Sequence, residues 1–265
     1  MNSEKYSKLS IDPVVTQLYR QGPNPDFSFP PTAAKLLDVL SLGLTPQSPQ
    51  VTLDAASYAQ TCGYTSQAAL QKQVRKDLET LASLSLPAGD RGARCPLLTG
   101  IQTIGGKLTV TFSSSVAHRL THCPRVDFPT ALFAVDARKQ NSYFLGRRLA
   151  EFGVAAHTAP VGLLLESCPY IPSADDFEGS RSILRRKVVD IFDASMDALR
   201  SAGILTWRYK SRDVSSYQAF EESVVEFQLT DHPLRRGAAK EYTPIHIDMT
   251  PYLKSGETFK RTLIF

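Results

Sequence analysis

His118, His122 and Cys123 are the nearest approach to a metal site in this chain. Zinc takes three or four nitrogen and sulfur ligands, and no Cys-x-x-Cys or second histidine pair completes this set. The end of a surface helix is the favoured reading, and no metal is expected. Asp175-Asp176 could hold a cation or act as acid and base. Carboxylates just before a helix start are, however, already favoured by the helix dipole. A tyrosine attacking a phosphodiester would sit near a His-x-His motif; none occurs, and His246-Ile247-Asp248 is the closest approach. His157, His232 and His246 stand alone. The chain has no phosphate-cradling GxxxxGK[ST], no GxGxxG, no HExxH and no GxSxG. These residues predict no catalytic group and no cofactor, hence a binding protein rather than an enzyme.

Binding chemistry is better represented. Gln67, Gln71, Lys72, Arg75 and Lys76 lie one to four positions apart. Gln and Arg can bond base edges in a duplex groove, and Lys usually meets phosphate. Taken alone, this stretch reads as a solvated helix face. Arg181, Arg185, Arg186 and Lys187 are more specific. They crowd the first two turns of a helix, where the dipole is positive and each cation costs a few tenths of a kcal/mol. A sequence that accepts this cost implies an anionic partner. Lys107, and Arg208, Lys210 and Arg212, stand where hairpins would add phosphate contacts. Tyr209, Trp207 and Tyr217 read as packing groups rather than base-stacking ones.

The elements that must carry these residues form a pattern written twice. Leu78, Leu81, Leu84 and Leu86 match Met196, Leu199, Ala202 and Ile204, 118 positions on. Each quartet closes a helical stretch that is basic upstream, and a strand follows each. In the first half, Thr32 is placed to cap a helix through Leu40, and Asp54–Thr61 forms a short helix stopped by Gly63. Thr65 or Ser66 then caps a helix over about 67–84, with Leu70, Val74, Leu78 and Leu81 as its apolar stripe. Helix, tight turn, helix is helix-turn-helix spacing. A mobile loop is expected over Pro87–Pro96. Ile101–Ile104 and Leu108–Phe112 flank Gly105-Gly106, a hairpin signal.

The second half repeats the plan. Helical signals run over 130–152, bent near Ala137-Arg138, and Val161–Ser167 is a short helix. After the loop Cys168–Phe177, a long helix starts at Ser180 or Ser182 and stops at Gly203. Leu205–Lys210 and Val224–Leu229 pair around a polar tip, Ser211–Glu222. A basic helix followed by a β-hairpin is a winged-helix layout. The expected fold class is therefore α+β, with two tandem winged-helix domains. Residues 1–30, with a turn at Gly22-Pro23-Asn24-Pro25, form an N-terminal arm with one short helix. The domains cover 31–125 and 126–247, meeting across Cys123–Pro129, and 248–265 is a C-terminal tail.

Composition fits this reading without deciding it. The 265 residues are 42% hydrophobic and 21% charged, with net charge +4; mild basicity suits nucleic acid but many enzymes share it. Four scattered cysteines, no apolar leader and no long apolar run predict free thiols, a cytoplasmic setting and no membrane association.

A family resemblance adds to this. Leu108-Thr-Val-Thr-Phe-Ser-Ser-Ser-Val-Ala-His-Arg-Leu120 resembles the segment that ends the first domain of iteron-binding plasmid replication initiators (Rep proteins). Ser142-Tyr143-Phe-Leu145-Gly-Arg-Arg148-Leu149 holds the place of the family's next helix. The resemblance is densest over about 50–210, with the residues between these landmarks altered and a long loop, Pro169–Gly179, added. It implies two winged-helix domains, binding of double-stranded DNA at repeated origin sites, a homodimer through the first domain, and host replication proteins as partners. No catalytic residue carries over. A winged-helix transcriptional regulator is the alternative, and a protein–protein adaptor a more distant one.

Overall fold

A computed structural model describes residues 5–21, 29–87, 93–105, 107–174, 177 and 179–233. The expected Gly22–Pro25 turn, Asp175-Asp176, His246, Asp248 and the tail 248–265 lie outside the described residues, as do Gly106 and part of the Pro87–Pro96 loop.

The chain opens with β1 (Tyr6–Ser10) and α1 (Pro13–Gln21), followed by α2 (Pro31–Leu42). Next come β2 (Gln50–Asp54), α3 (Ala55–Cys62) and α4 (Gln67–Ala82). The short β3 (Ser85–Pro87) and β4 (Arg94–Pro96) precede a hairpin of β5 (Leu98–Ile104) and β6 (Lys107–Phe112). α5 (Ser114–His122) and β7 (Arg125–Pro129) lead through a 3₁₀ turn (Thr130–Ala134) to α6 (Gln140–Glu151).

Beyond α6 lie β8 (Ala156–Pro160) and α7 (Val161–Leu165). α8 (Arg181–Leu184), a π turn (Arg185–Val189) and α9 (Asp190–Ser201) then run on without a break. β9 (Leu205–Ser211), α10 (Tyr217–Glu222) and β10 (Val224–Leu229) complete the described order. No described helix is long and apolar enough to cross a membrane.

The repeat is visible in topology. Two three-stranded antiparallel sheets have the orders β2-β6-β5 and β8-β10-β9. In each, the first strand is followed by a helix pair, and the next two strands come back with the last in the middle. Side chains alternate as a half-buried strand requires. Leu108, Val110 and Phe112 of β6 and Val225, Phe227 and Leu229 of β10 face the core. The outer faces are polar: Thr52 and Thr109 hydroxyls meet at 3.0 Å on one sheet, and Arg208 binds Glu226 on the other.

Local chemistry explains the helix pairs. Asp54 caps α3 by accepting from the Ser57 amide at 2.8 Å, and Gly63 ends it at φ 70°, which costs a residue without Cβ little. Ser66 caps α4, and its buried face carries Leu70, Leu78 and Leu81. Gly203, again at φ 70°, follows α9.

Several expectations change. Residues 6–21, read as part of a polar arm with one short helix, hold that helix but add a strand before it, and their Leu9, Val15, Leu18 and Tyr19 are buried. β1 pairs with β7, so the stretch expected as a break between domains is itself a strand. Thr32 does not cap α2; the cap position is Pro30, and the Thr32 hydroxyl donates instead to Asp77 at 2.8 Å. The ends of the Pro87–Pro96 loop are paired as β3 and β4. Ala202 is exposed, so only three members of the second quartet are buried. The tip 211–222 holds α10, whose Phe220 is buried.

One continuous apolar core runs through both halves. A buried polar network crosses it. Asp38 of α2 accepts from Tyr19 of α1 at 3.0 Å, and from Tyr143 and Arg147 of α6 at 2.7 and 3.1 Å. Arg147 also binds Glu151, which Arg148 meets at 3.2 Å. Burial pushes the Asp38 carboxyl above its ordinary range, and the Arg147 guanidinium opposes that rise. A second pair, Asp12 with Arg119 at 2.8 Å, ties α1 to α5. Both ends of β1 are thus fixed, because Tyr6 donates to the Thr230 carbonyl at 2.6 Å, next to the end of β10.

Candidate nucleic-acid interface

α4 holds the first set of cations. Gln71, Lys72, Arg75 and Lys76 are exposed on it, opposite the Leu70–Leu78–Leu81 face that packs inward. The Gln67 side chain lies outside the described residues. Arg75 is partly committed to Glu79, one turn on, at 3.2 Å; both are largely exposed, so the pair is weak. Under this helix Asp77 is 1% exposed. It accepts from Thr32 and Gln73 at 2.8 Å each, and its other oxygen has no hydrogen-bond partner. Burial pushes its carboxyl up to about 6. α4 is therefore anchored to α2 by a buried acid while its outer face stays cationic.

Lys107 opens β6 at the hairpin turn and is exposed. The register sets it opposite Asp54 of β2. The Asp54 carboxyl is held low chiefly by its hydrogen bonds from Ser57, with Lys107 adding to the effect.

The second set sits on the α8–π–α9 helix. Arg181, Arg185, Arg186 and Lys187 are all exposed, while Leu184, Val188, Val189 and Phe192 are buried beneath them. Arg185 approaches Asp190 at 3.9 Å. Arg181, Arg186 and Lys187 make no ion pair within 4.0 Å among the described residues.

The hairpin beside this helix is less open than its sequence suggests. Arg208 binds Glu226 at 2.7 Å. Arg212 binds Asp193 at 2.7 Å and stacks over the Tyr209 ring at 4.7 Å. Lys210 is exposed. The aromatic side chains face back to α9: Tyr209 donates to Asp193 at 2.6 Å and Trp207 to Asp197 at 3.0 Å. Tyr217 donates to the Pro172 carbonyl at 2.7 Å. Arg181, Arg185, Arg186 and Lys187 are thus each exposed along one helix, while Arg208 and Arg212 are diverted into ion pairs. Sequence reasoning gave Asp190, Asp193 and Asp197 no role. Their spacing along one helix is the signal that could have found them, since three or four positions bring side chains together.

Other candidates resolve differently. His118 and His122 stack in parallel at 4.0 Å, and the Cys123 thiol points to Asp12 at 3.4 Å. No group of three His, Cys, Asp or Glu side chains able to hold a metal ion occurs among the described residues. His157 packs on Phe152 at 4.6 Å, and His232 is buried against Tyr6.

No protein-family model matches the chain, and no curated protein does. Among solved structures, it is similar to a Pi initiator protein crystallised in complex with iteron DNA. The TM-score is 0.62 at 11% identity, covering 87% of this chain and 100% of the other. At that identity the likeness is one of fold: a mixed α+β architecture shared over most of both chains.

Proposed function

We propose that the chain binds double-stranded DNA sequence-specifically, as a replication initiator of a plasmid or mobile element acting at repeated origin sites. On this reading its two similar halves, dividing near residue 125, are tandem winged-helix units. α4 and the α8–π–α9 helix enter neighbouring major-groove segments, and the two hairpins lie along the backbone. The observation that carries it is the repeated topology, with each second helix burying one face and exposing a row of cations on the other. The shared fold with an initiator crystallised on iteron DNA supports the same conclusion.

Gln67, Gln71, Lys72, Arg75, Lys76 and Lys107 serve the first unit. Arg181, Arg185, Arg186, Lys187 and Lys210 serve the second, and Arg208 and Arg212 join only by exchanging their carboxylate partners. The action is binding without catalysis, in the cytoplasm. A homodimer through the first unit and host replication proteins as partners belong to the same proposal.

A mobility-shift titration tests it. Arg185→Ala with Arg186→Ala should weaken duplex binding at least about tenfold and flatten its salt dependence. Unchanged affinity and slope would refute the assignment.

A further inference from the structure

The second cationic helix contains a feature its function does not require in general: a π turn over Arg185–Val189. The Asp190 amide donates to the Arg185 carbonyl, five residues back, instead of to Arg186. Such a turn accommodates one extra residue and brings positions i and i+5 onto one line of the helix surface. One pair shows this. Arg185 and Asp190 meet at 3.9 Å, with side chains 73% and 57% exposed.

In an unbroken α-helix the partners would differ. Asp190 would stand four residues after Arg186 and three after Lys187, the spacings at which opposite charges pair. Arg185, five residues away, would face elsewhere. The only acidic side chain on the next turn would then cover the middle of the cationic cluster.

We infer that the π turn selects which cations are open to a phosphate-bearing duplex: it hands Asp190 to Arg185 and leaves Arg186 and Lys187 uncommitted. Asp190 is a positioning residue in this arrangement. It restrains one arginine at the edge of the cluster and does not meet the nucleic acid itself. The inference rests on the DNA-binding reading above and names the residues within that surface that dominate it.

A double-mutant cycle tests it, using the full chain and a fluorescein-labelled duplex of random sequence followed by anisotropy. All the changes are on exposed side chains, so folding should survive, and circular dichroism checks this. Asp190→Asn should tighten binding about two- to threefold, the scale of one exposed ion pair. The gain should vanish in an Arg185→Ala background and persist in Arg186→Ala and Lys187→Ala backgrounds. Arg186→Ala and Lys187→Ala should each lower the salt slope by about one.

A gain that vanishes with Arg186 or Lys187 but survives loss of Arg185 overturns the proposal. So does an Asp190→Asn chain that binds no more tightly, while either result leaves the DNA-binding reading intact. A wild-type chain without salt-sensitive duplex binding overturns that reading and this proposal with it.

Discussion

Asp77 shows how a single buried acid shapes the first cationic helix. Its carboxyl is surrounded by protein, accepts two hydrogen bonds through one oxygen, and among the described residues pairs with no cation, Lys76 only partly offsetting the burial. Burial raises it from 3.8 to about 6. The folded chain therefore binds a proton that the unfolded chain has already released across that window. By linkage, its contribution to stability is best below about 3.8 and worsens as pH rises to about 6. Above that it is a constant penalty of about 1–3 kcal/mol, since a tenfold change in proton affinity is worth about 1.4 kcal/mol. Asp77→Asn keeps an acceptor for Thr32 and Gln73 and carries no charge. Urea unfolding should show the variant more stable than wild type at pH 8, with the difference shrinking toward pH 4. A difference independent of pH would show that Asp77 ionisation plays no part. None of this was legible in the sequence, where Asp77 sits between Lys76 and Leu78 as one more charge of a solvated helix.

Elements are legible in the sequence where the signal is local. Asp54, Ser66, Gly63 and Gly203 mark the expected helix ends because caps and left-handed stops are written within a few residues of the turn they make. The two hairpins are equally plain. The π turn is not: Leu184, Val188 and Phe192 fit an ordinary helical stripe, as do Val189, Phe192, Met196 and Leu199, so the apolar pattern carries no trace of the extra residue. The role of α6 also exceeds its local pattern. Gly146 lies where this helix crosses the 3₁₀ turn and α9, and a Cβ there would come within 2.2 Å of Leu132 and 2.9 Å of Leu199. Gly146→Ala should destabilise the chain by about 1–3 kcal/mol through overpacking. That sign opposes the gain of about 1 kcal/mol expected from helix propensity alone. A stabilised Gly146→Ala variant in chemical denaturation would contradict the close crossing.

At the scale of the whole molecule, the two halves are repeats in topology but share one core. β1 pairs with β7 across more than a hundred residues, and the Asp38 network joins α1, α2 and α6. Neither pairing leaves a periodic trace in the sequence, which is why residues 6–21 read as an arm. The shared core predicts a single cooperative unfolding transition, with circular dichroism and Trp207 fluorescence coincident in urea. Two separated midpoints would show that the halves are held together only loosely.

The same joint core would hold two cation-bearing helices at a fixed separation, and this is what the proposed recognition of repeated DNA requires. Hydroxyl-radical footprinting on a duplex selected from random sequence by the full chain tests it most directly. Two protected segments about one helical turn apart are expected, with the segment under the second helix lost first when Arg186 and Lys187 are replaced by alanine. A selection that yields no preferred sequence, or a footprint of one segment indifferent to those substitutions, would contradict it.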